Sequence, residues 1–355
     1  MIQNNDQSEA IQQSVIQAID SRTPLQIVAG ASKSFYGRIP QGKELSIASH
    51  QGIVNYHPSE LVITARTGTL LSDIETTLAE QGQMLAFEPP HFSPSATLGG
   101  AIACGFSGAR RPFTGSARDF VLGCKIINGK AEVLSFGGEV MKNVAGYDVS
   151  RLMVGALGTL GVLLEVSLKV LPKPAVEITR LFELNTMDAL AKMQALSQQS
   201  LPLSGLNYDG KVLAVRLSGA EKTLQQAGKT IGGDQLKDVD FYWRQCIEQQ
   251  HDFFKAATDL WRFSVPASKP EIALSGDWFY EWGGAQRWLK TTESKQTIFS
   301  MAESLEGHAS LFRTEHRSTE LFQPLPRVLN KLNGNIKMAF DPLGVFNPCR
   351  MTEAW

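Results

Sequence analysis

The stretch KNVAGYDVSRLMVGALGTLG, Lys142 to Gly161, decides how the chain is read. It ends in three glycines spaced by three: Gly155, Gly158 and Gly161. A nicotinamide-dinucleotide turn needs a strand, then glycines spaced G-x-G-x-x-G, then a helix whose N-terminus faces the pyrophosphate. Here the order is reversed. Asp148 can open a short helix through Val149, Leu152 and Met153, the glycines follow, and a strand comes last. In that strand Val162, Leu164, Val166, Leu168 and Val170 alternate with Glu165, Ser167 and Lys169, which predicts one apolar face. The order and spacing argue against a Rossmann turn. Two readings stay open at this point, another kind of nucleotide site or a tight turn inside a core.

Composition bounds the rest. The chain has 355 residues, 43% hydrophobic and 19% charged, with a formal net charge of -1. It reads as globular, long enough for two domains, and without the basic excess that nucleic acid or an anionic membrane surface selects. The N-terminus has no basic and apolar leader, so no signal peptide is expected, and no apolar run is long enough to span a bilayer. Cys104, Cys124, Cys246 and Cys349 form no C-x-x-C pair and suggest neither a zinc site, an iron–sulfur ligand set nor a disulfide framework.

Working outward, two more glycine-rich stretches flank strands. In VAGASKSFYG, Val28–Gly37, a buried strand empties into small and hydroxyl residues whose N–H groups can form an anion nest. Alone it is as readily an ordinary turn. Phe87–Gly123 is long, poor in charge and loop-like, which is usually functional. Within it Thr97 can open a helix, and Gly99-Gly100 allow close backbone approach, either to a ligand or to a sheet that the helix packs on. FVLGCKIINGKAEVLSF reads as a hairpin turning at Asn128-Gly129. The two prolines of LPKPAV mark a boundary near 172–175. Beyond it, VEITRLFEL, a helix around Met187–Gln198 and a hairpin at Asp209-Gly210 form β-α-β-β, and a weaker echo runs from LWRFSVP to HASLFR.

These pieces together resemble flavoproteins of the vanillyl-alcohol-oxidase type, and among them the FAD-binding subunits of bacterial glycolate oxidases. The matching residues are GASKSFYGR, FEPPHFSPSATLGGAIACGFSGARR, GSARDFVLG, FGGEVMKNVAGYDVSRLMVGALGTLGVLLEVSLKVLPKP and FDPLGVFNPCR. The resemblance implies an α+β fold: a two-part FAD-binding domain of the PCMH type over 1–174, with subdomains of about 1–66 and 67–174. A ferredoxin-like α+β cap would follow over 175–320, and a segment over 321–355 would return to the FAD domain. It implies non-covalent FAD, because the first loop has no histidine to tether it. It also implies glycolate or a similar small 2-hydroxy acid as substrate, with a paralogous FAD subunit and an iron–sulfur subunit as partners. A cytoplasmic location follows, with any attachment to the inner membrane face made through the complex.

Residue by residue, the resemblance places Gly30, Ala31, Ser32, Lys33 and Ser34 on the pyrophosphate, and Pro90, Thr97, Gly99 and Gly100 along pyrophosphate and flavin. Gly115, Ser116 and Asp119 would lie beside the flavin, with Gly158, Gly161 and Val162 on its other side. Two departures weaken the pattern: alanine stands at 31 and cysteine at 349, and both side chains disfavour positive φ. The candidate catalytic residues are His91, Arg110 and Tyr147. His308, Glu315 and His316 in HASLFRTEH are spaced unlike a metal motif, and no metal is expected. Two other roles stay open: a scaffold subunit that keeps the fold, and a stand-alone flavin oxidoreductase.

Overall fold

The strand expected after the glycines forms at Val162–Lys169, at the centre of a five-stranded antiparallel sheet. Its neighbours are Val62–Arg66 on one side and Val121–Ile127 on the other, with Ile53–His57 and Val133–Gly137 at the edges. The computed structural model describes residues 4–138, 148–255 and 259–354.

The single apolar face expected for this strand is corrected by a bulge. Ile126 pairs with Leu163 and Lys125 with Glu165, so Leu164 is skipped. Val162 and Leu164 therefore pack with Ile11 and Val15 of the helix Ser8–Asp20. Leu163, Val166, Leu168 and Val170 pack with Ile74, Leu78 and Ile102 on the opposite side. The strand is buried on both faces, which explains its nearly continuous run of apolar residues. The following hairpin also differs from expectation. Ile127 pairs with Val133, so residues 128–132 form the loop, held by Asn128 Oδ1 accepting from the N–H groups of Lys130 and Glu132.

A short parallel pair, Leu25–Val28 with Lys43–Ser46, leads into the first glycine loop. The C-terminal segment closes on it. Leu25 N–H donates to Val345 O at 2.7 Å, and Asn347 Oδ1 accepts from Ile27 N–H at 2.8 Å. Lys337 anchors this return from the helix Arg327–Phe340, donating to Asp341 Oδ2, Thr159 O and Phe346 O.

From Val176 onward the chain builds one eight-stranded antiparallel sheet, the cap sheet. Its outer face is covered by the helices Thr186–Ser197, Glu221–Ile231 and Lys295–Ser304 through Leu190, Met193, Leu224 and Ile298. Its inner face meets the N-terminal domain, where Phe279, Trp288 and Phe312 pack against Phe106, Tyr36 and Phe92.

A buried charge network holds the two units together. Glu88 of the N-terminal domain accepts from Arg110 N–H at 2.9 Å and Arg216 Nη2 at 2.8 Å, and pairs with Arg110 Nε at 2.9 Å. Arg110 also pairs with Glu177 of the cap. Burial raises the Glu177 pKa, but the charges of Arg216 and Arg110 outweigh it and hold the carboxyl below its usual range. Removing one member strands buried charge, which costs about 3–5 kcal/mol. Glu88→Ala is expected to lower unfolding stability by that amount in urea titration, with loss of the native aromatic signal of the cap interface at lower denaturant.

Candidate functional site

The first glycine loop turns sharply where the parallel strand ends. Ala31 sits at φ +53°, so alanine does take the left-handed conformation that its side chain disfavours. That costs roughly 1–2 kcal/mol, and it turns the following N–H groups outward. Among the described residues the N–H groups of Gly30, Ala31, Ser32 and Lys33 have no protein acceptor. Cys349 is likewise held at φ +62°, against expectation, in the turn where Arg38 N–H donates to Arg350 O. Gly30 is required by close approach: a Cβ there would overlap the Ser95 carbonyl oxygen, while Ser95 Oγ donates to Gly30 O at 2.5 Å.

Other glycines expected beside the cofactor are also required by packing. Gly99 N–H donates to Thr67 O at 2.8 Å, and a Cβ there would lie 2.8 Å from Thr67 Cβ. This is the packing of a helix on a sheet that the sequence left open. Thr97 does cap the helix Leu98–Cys104, but Leu98 N–H goes to Thr69 O and Gly100 N–H to Thr97 Oγ1, so the helix start is already satisfied. A Cβ at Gly158 would meet Asn347 Nδ2 at 2.6 Å, and one at Gly161 would meet Ile127 O at 2.7 Å. Val162 is fully buried. Gly115 takes φ +110° against Asp119. Ser116 N–H and Oγ both donate to Asp119 Oδ2 at 2.8 Å. Burial opposes ionisation of Asp119, yet these bonds hold its pKa below the usual value.

The candidate catalytic residues part company. Arg110 is committed to the interdomain network. His91 Nε2 lies 3.2 Å from Glu75 Oε1, and its backbone N–H donates to Glu248. Lys33 is buried, donating to Ser32 Oγ and His91 O, and burial lowers its pKa. Pro90 lines a small cavity. Tyr147 lies outside the described residues.

A cleft of about 510 Å³ opens between the N-terminal domain and the inner face of the cap sheet. Its walls are chain neighbours of the expected cofactor residues: Tyr36 and Arg38 after the first loop, Arg118 after Ser116, and Gly155, Ala156, Thr159 and Leu160 of the opening stretch. A Cβ on Gly155 would meet only open space. The cap contributes Arg262, Ser264, His308 and Ser310. Sequence reasoning missed Arg262, Ser264 and Ser310, and weighed His308 only as a metal ligand. Their signal was the alternation in LWRFS and HASLFR, polar at every second residue. Three arginines face one carboxylate here, Glu320. Arg38 is buried, and its Nε and Nη1 have no hydrogen-bond partner.

This donor set fits FAD: open loop N–H groups and an unsatisfied guanidinium suit a diphosphate, and the glycine-lined wall leaves room beside it. The family model described as FAD binding domain matches residues 6–137. Glycolate oxidase subunit GlcE of Escherichia coli (strain K12) is 46% identical over 351 residues, covering 99% of this chain and 99% of that one. The chain belongs to the glycolate oxidase subunit GlcE family. Its cofactor is FAD, and its family stands among FAD-dependent oxidoreductases acting on CH–OH groups. Partial likeness extends further. A D-lactate dehydrogenase of Anaerostipes hadrus is 29% identical over 47% of this chain and 35% of that protein. Glycolate oxidase subunit GlcD of Bacillus subtilis (strain 168) is 32% identical over 39% of this chain and 30% of that one. The fold matches p-cresol methylhydroxylase with a TM-score of 0.74 at 14% identity, covering 98% of this chain and 88% of that one. The α+β PCMH-type architecture is thereby shown. Among the described residues no helix is long and apolar enough to cross a membrane.

The loop geometry makes a direct test. Gly30→Ala is expected to push the first loop off Ser95 and cut the flavin bound per purified chain at least tenfold, read from visible absorbance. Ala31→Gly should keep it.

Proposed function

We propose that this chain is the FAD-carrying subunit of a multi-subunit glycolate oxidase, taking a small 2-hydroxy acid to its 2-oxo acid and passing electrons to an iron–sulfur partner. The observation that carries this reading is the cationic cleft beside the FAD-binding loops. FAD, when bound, supplies the two-electron acceptor for the hydrogen that leaves Cα. The protein must hold the carboxylate and take the hydroxyl proton. The first loop, through Gly30 to Lys33, would hold the diphosphate without a covalent tether, since no histidine stands in it.

Two features support a partner. The four cysteines are dispersed, and among the described residues no three His, Cys, Asp or Glu side chains gather to hold a metal, so in this reading the electrons leave through another chain. Leu325, Val328, Leu329 and Leu332 stand exposed at the start of the C-terminal helix. The segment 321–340 carries the exposed Arg327 and Lys331 and no acidic residue, which suits an apolar partner surface with an acidic rim. The same helix lines the cleft through Asn330, Asn333 and Ile336, so a subunit seated there borders the site.

The visible spectrum tests the function. The purified complex should show flavin bands that bleach on anaerobic addition of glycolate. A colourless chain that restores activity to its partners would make it a scaffold, and turnover by the chain alone would remove the need for a partner. Val328→Asp is expected to abolish co-purification of the partners while leaving flavin content within twofold of wild type. Undiminished co-purification would place the interface elsewhere.

A further inference from the structure

The inner face of the cap sheet carries a paired set of polar side chains whose positions follow from strand register. Arg262 and Ser264 lie on Leu260–Ser264, while Trp261 and Phe263 point to the outer core. Ser310 and His308 lie on His308–Arg313, while Ala309 and Leu311 point outward. Arg262 is opposite Ser310, and Ser264 is opposite His308. Arg262 and His308 are thus diagonal neighbours, roughly 7–8 Å apart at the backbone in such a pair. Their longer side chains reach into the same volume, and both line the cleft.

The charge of Arg262 is unspent. It is half-buried, and among the described residues no carboxylate lies within salt-bridge distance of it. Glu281, which lines a small cavity with Arg262, is buried and accepts from Trp288 Nε1 at 2.6 Å and Gln286 Nε2 at 2.7 Å, and burial pushes its pKa up against the opposing pull of these bonds and of the Arg262 charge, with no ion pair formed between the two. The other two arginines of the cleft are less suited. Arg38 pairs with Glu353 at 2.7 Å, and Arg118 is exposed.

His308 is open to solvent on its cleft side. Partial burial on its other sides, with the charges of Arg262 and Arg111, lowers its pKa, so the imidazole is neutral and can accept a proton at neutral pH. A divalent cation placed beside it would meet the same repulsion from Arg262 and Arg111. An anion is what this wall selects.

We propose that this face is a carboxylate subsite in which Arg262 pairs with the carboxylate of a small 2-hydroxy acid and His308 takes the proton of its hydroxyl. The assignment rests on the oxidation reading above. The hydroxyl O–H bond breaks with its proton going to a ring nitrogen of His308. The Cα hydrogen leaves with its electron pair to the acceptor that FAD supplies, and the C=O bond forms. Tyr36 and Phe322, in edge contact at 5.4 Å, close the cleft beside Ser310 and limit the acid to a short chain.

The test uses the assembled complex carrying variants of this chain, with oxalate as a non-oxidisable probe. Arg262→Met should weaken oxalate binding about 10–100-fold by calorimetry, the loss of one charge-assisted pair, and raise KM for glycolate in step. Arg262→Lys should fall between the two, because it keeps charge without the fork. His308→Gln should leave oxalate binding within threefold and lower kcat about 10²–10⁴-fold. It should also remove an acid limb lying below the usual histidine pKa. Burial and the charges of Arg262 and Arg111 push that limb down; Arg118 and Glu320 are the other charged side chains that line the cleft. If Arg262→Met does not fold, Arg262→Gln carries the same binding test. Oxalate affinity within twofold of wild type in a folded, flavin-loaded Arg262 variant overturns the carboxylate assignment. An unchanged kcat in His308→Gln overturns the base. A wild-type complex that binds oxalate through Arg262 but is not reduced by glycolate overturns the oxidation reading and leaves the anion subsite standing.

Discussion

The geometry of the cleft depends on one buried carboxylate. Glu88 is held at φ +48° and receives Arg110 from its own domain and Arg216 from the cap. Arg216 is almost fully buried and stacks over Trp243 at 4.6 Å, so its charge has nowhere else to go. Such a network gains little stability over an apolar contact, because desolvation cancels most of the attraction. What it supplies is register. Two guanidiniums must find one carboxylate, and Trp282 Nε1 must reach Gly108 O at 2.9 Å, in a single docking of sheet on domain. With that docking set, the inner face of the cap sheet stands opposite the glycine-lined wall.

The same constraint explains which parts of the site were legible in the sequence. Local patterns were. The strand after the glycines, the cap at Thr97 and the helix opened by Asp148 depend only on neighbours in the chain, and all three form. The glycine blocks named the cofactor through their order. They did not name the contacts, because a glycine needed for packing and one needed for a ligand look alike in sequence. Gly99 against Thr67 and Gly158 against Asn347 are packing positions, whereas Gly155 borders open space. The Leu164 bulge was hidden for a related reason: a strand buried on both faces has no polar side to show a slip in phase.

Arg262 and His308 were hidden by distance along the chain. Each strand alone shows alternation, but the pairing of one with the other is set by the register of a sheet assembled around them. Arg110 illustrates the converse. An arginine on a long glycine-rich loop has the chemistry to hold a substrate, and only the positions of Glu88 and Glu177 reveal that its charge is already used.

Net charge was the weakest guide, and the reason is instructive. A chain of formal charge -1 can hold a strongly positive surface if its arginines cluster where carboxylates are absent. In the cleft, Arg38, Arg118 and Arg262 outnumber the two carboxylates near them, Glu320 on the wall and Glu353 paired with Arg38. Low-dielectric walls of Tyr36, Leu160 and Phe322 limit screening and strengthen that field locally. Both anions that the proposed reaction requires, a diphosphate and a carboxylate, are drawn to the same cleft. The carboxylate then depends for its position on the side chain whose charge the protein leaves unpaired. Arg262 meets that condition on a rigid strand, so its placement orients a hydroxy acid as well as attracting it.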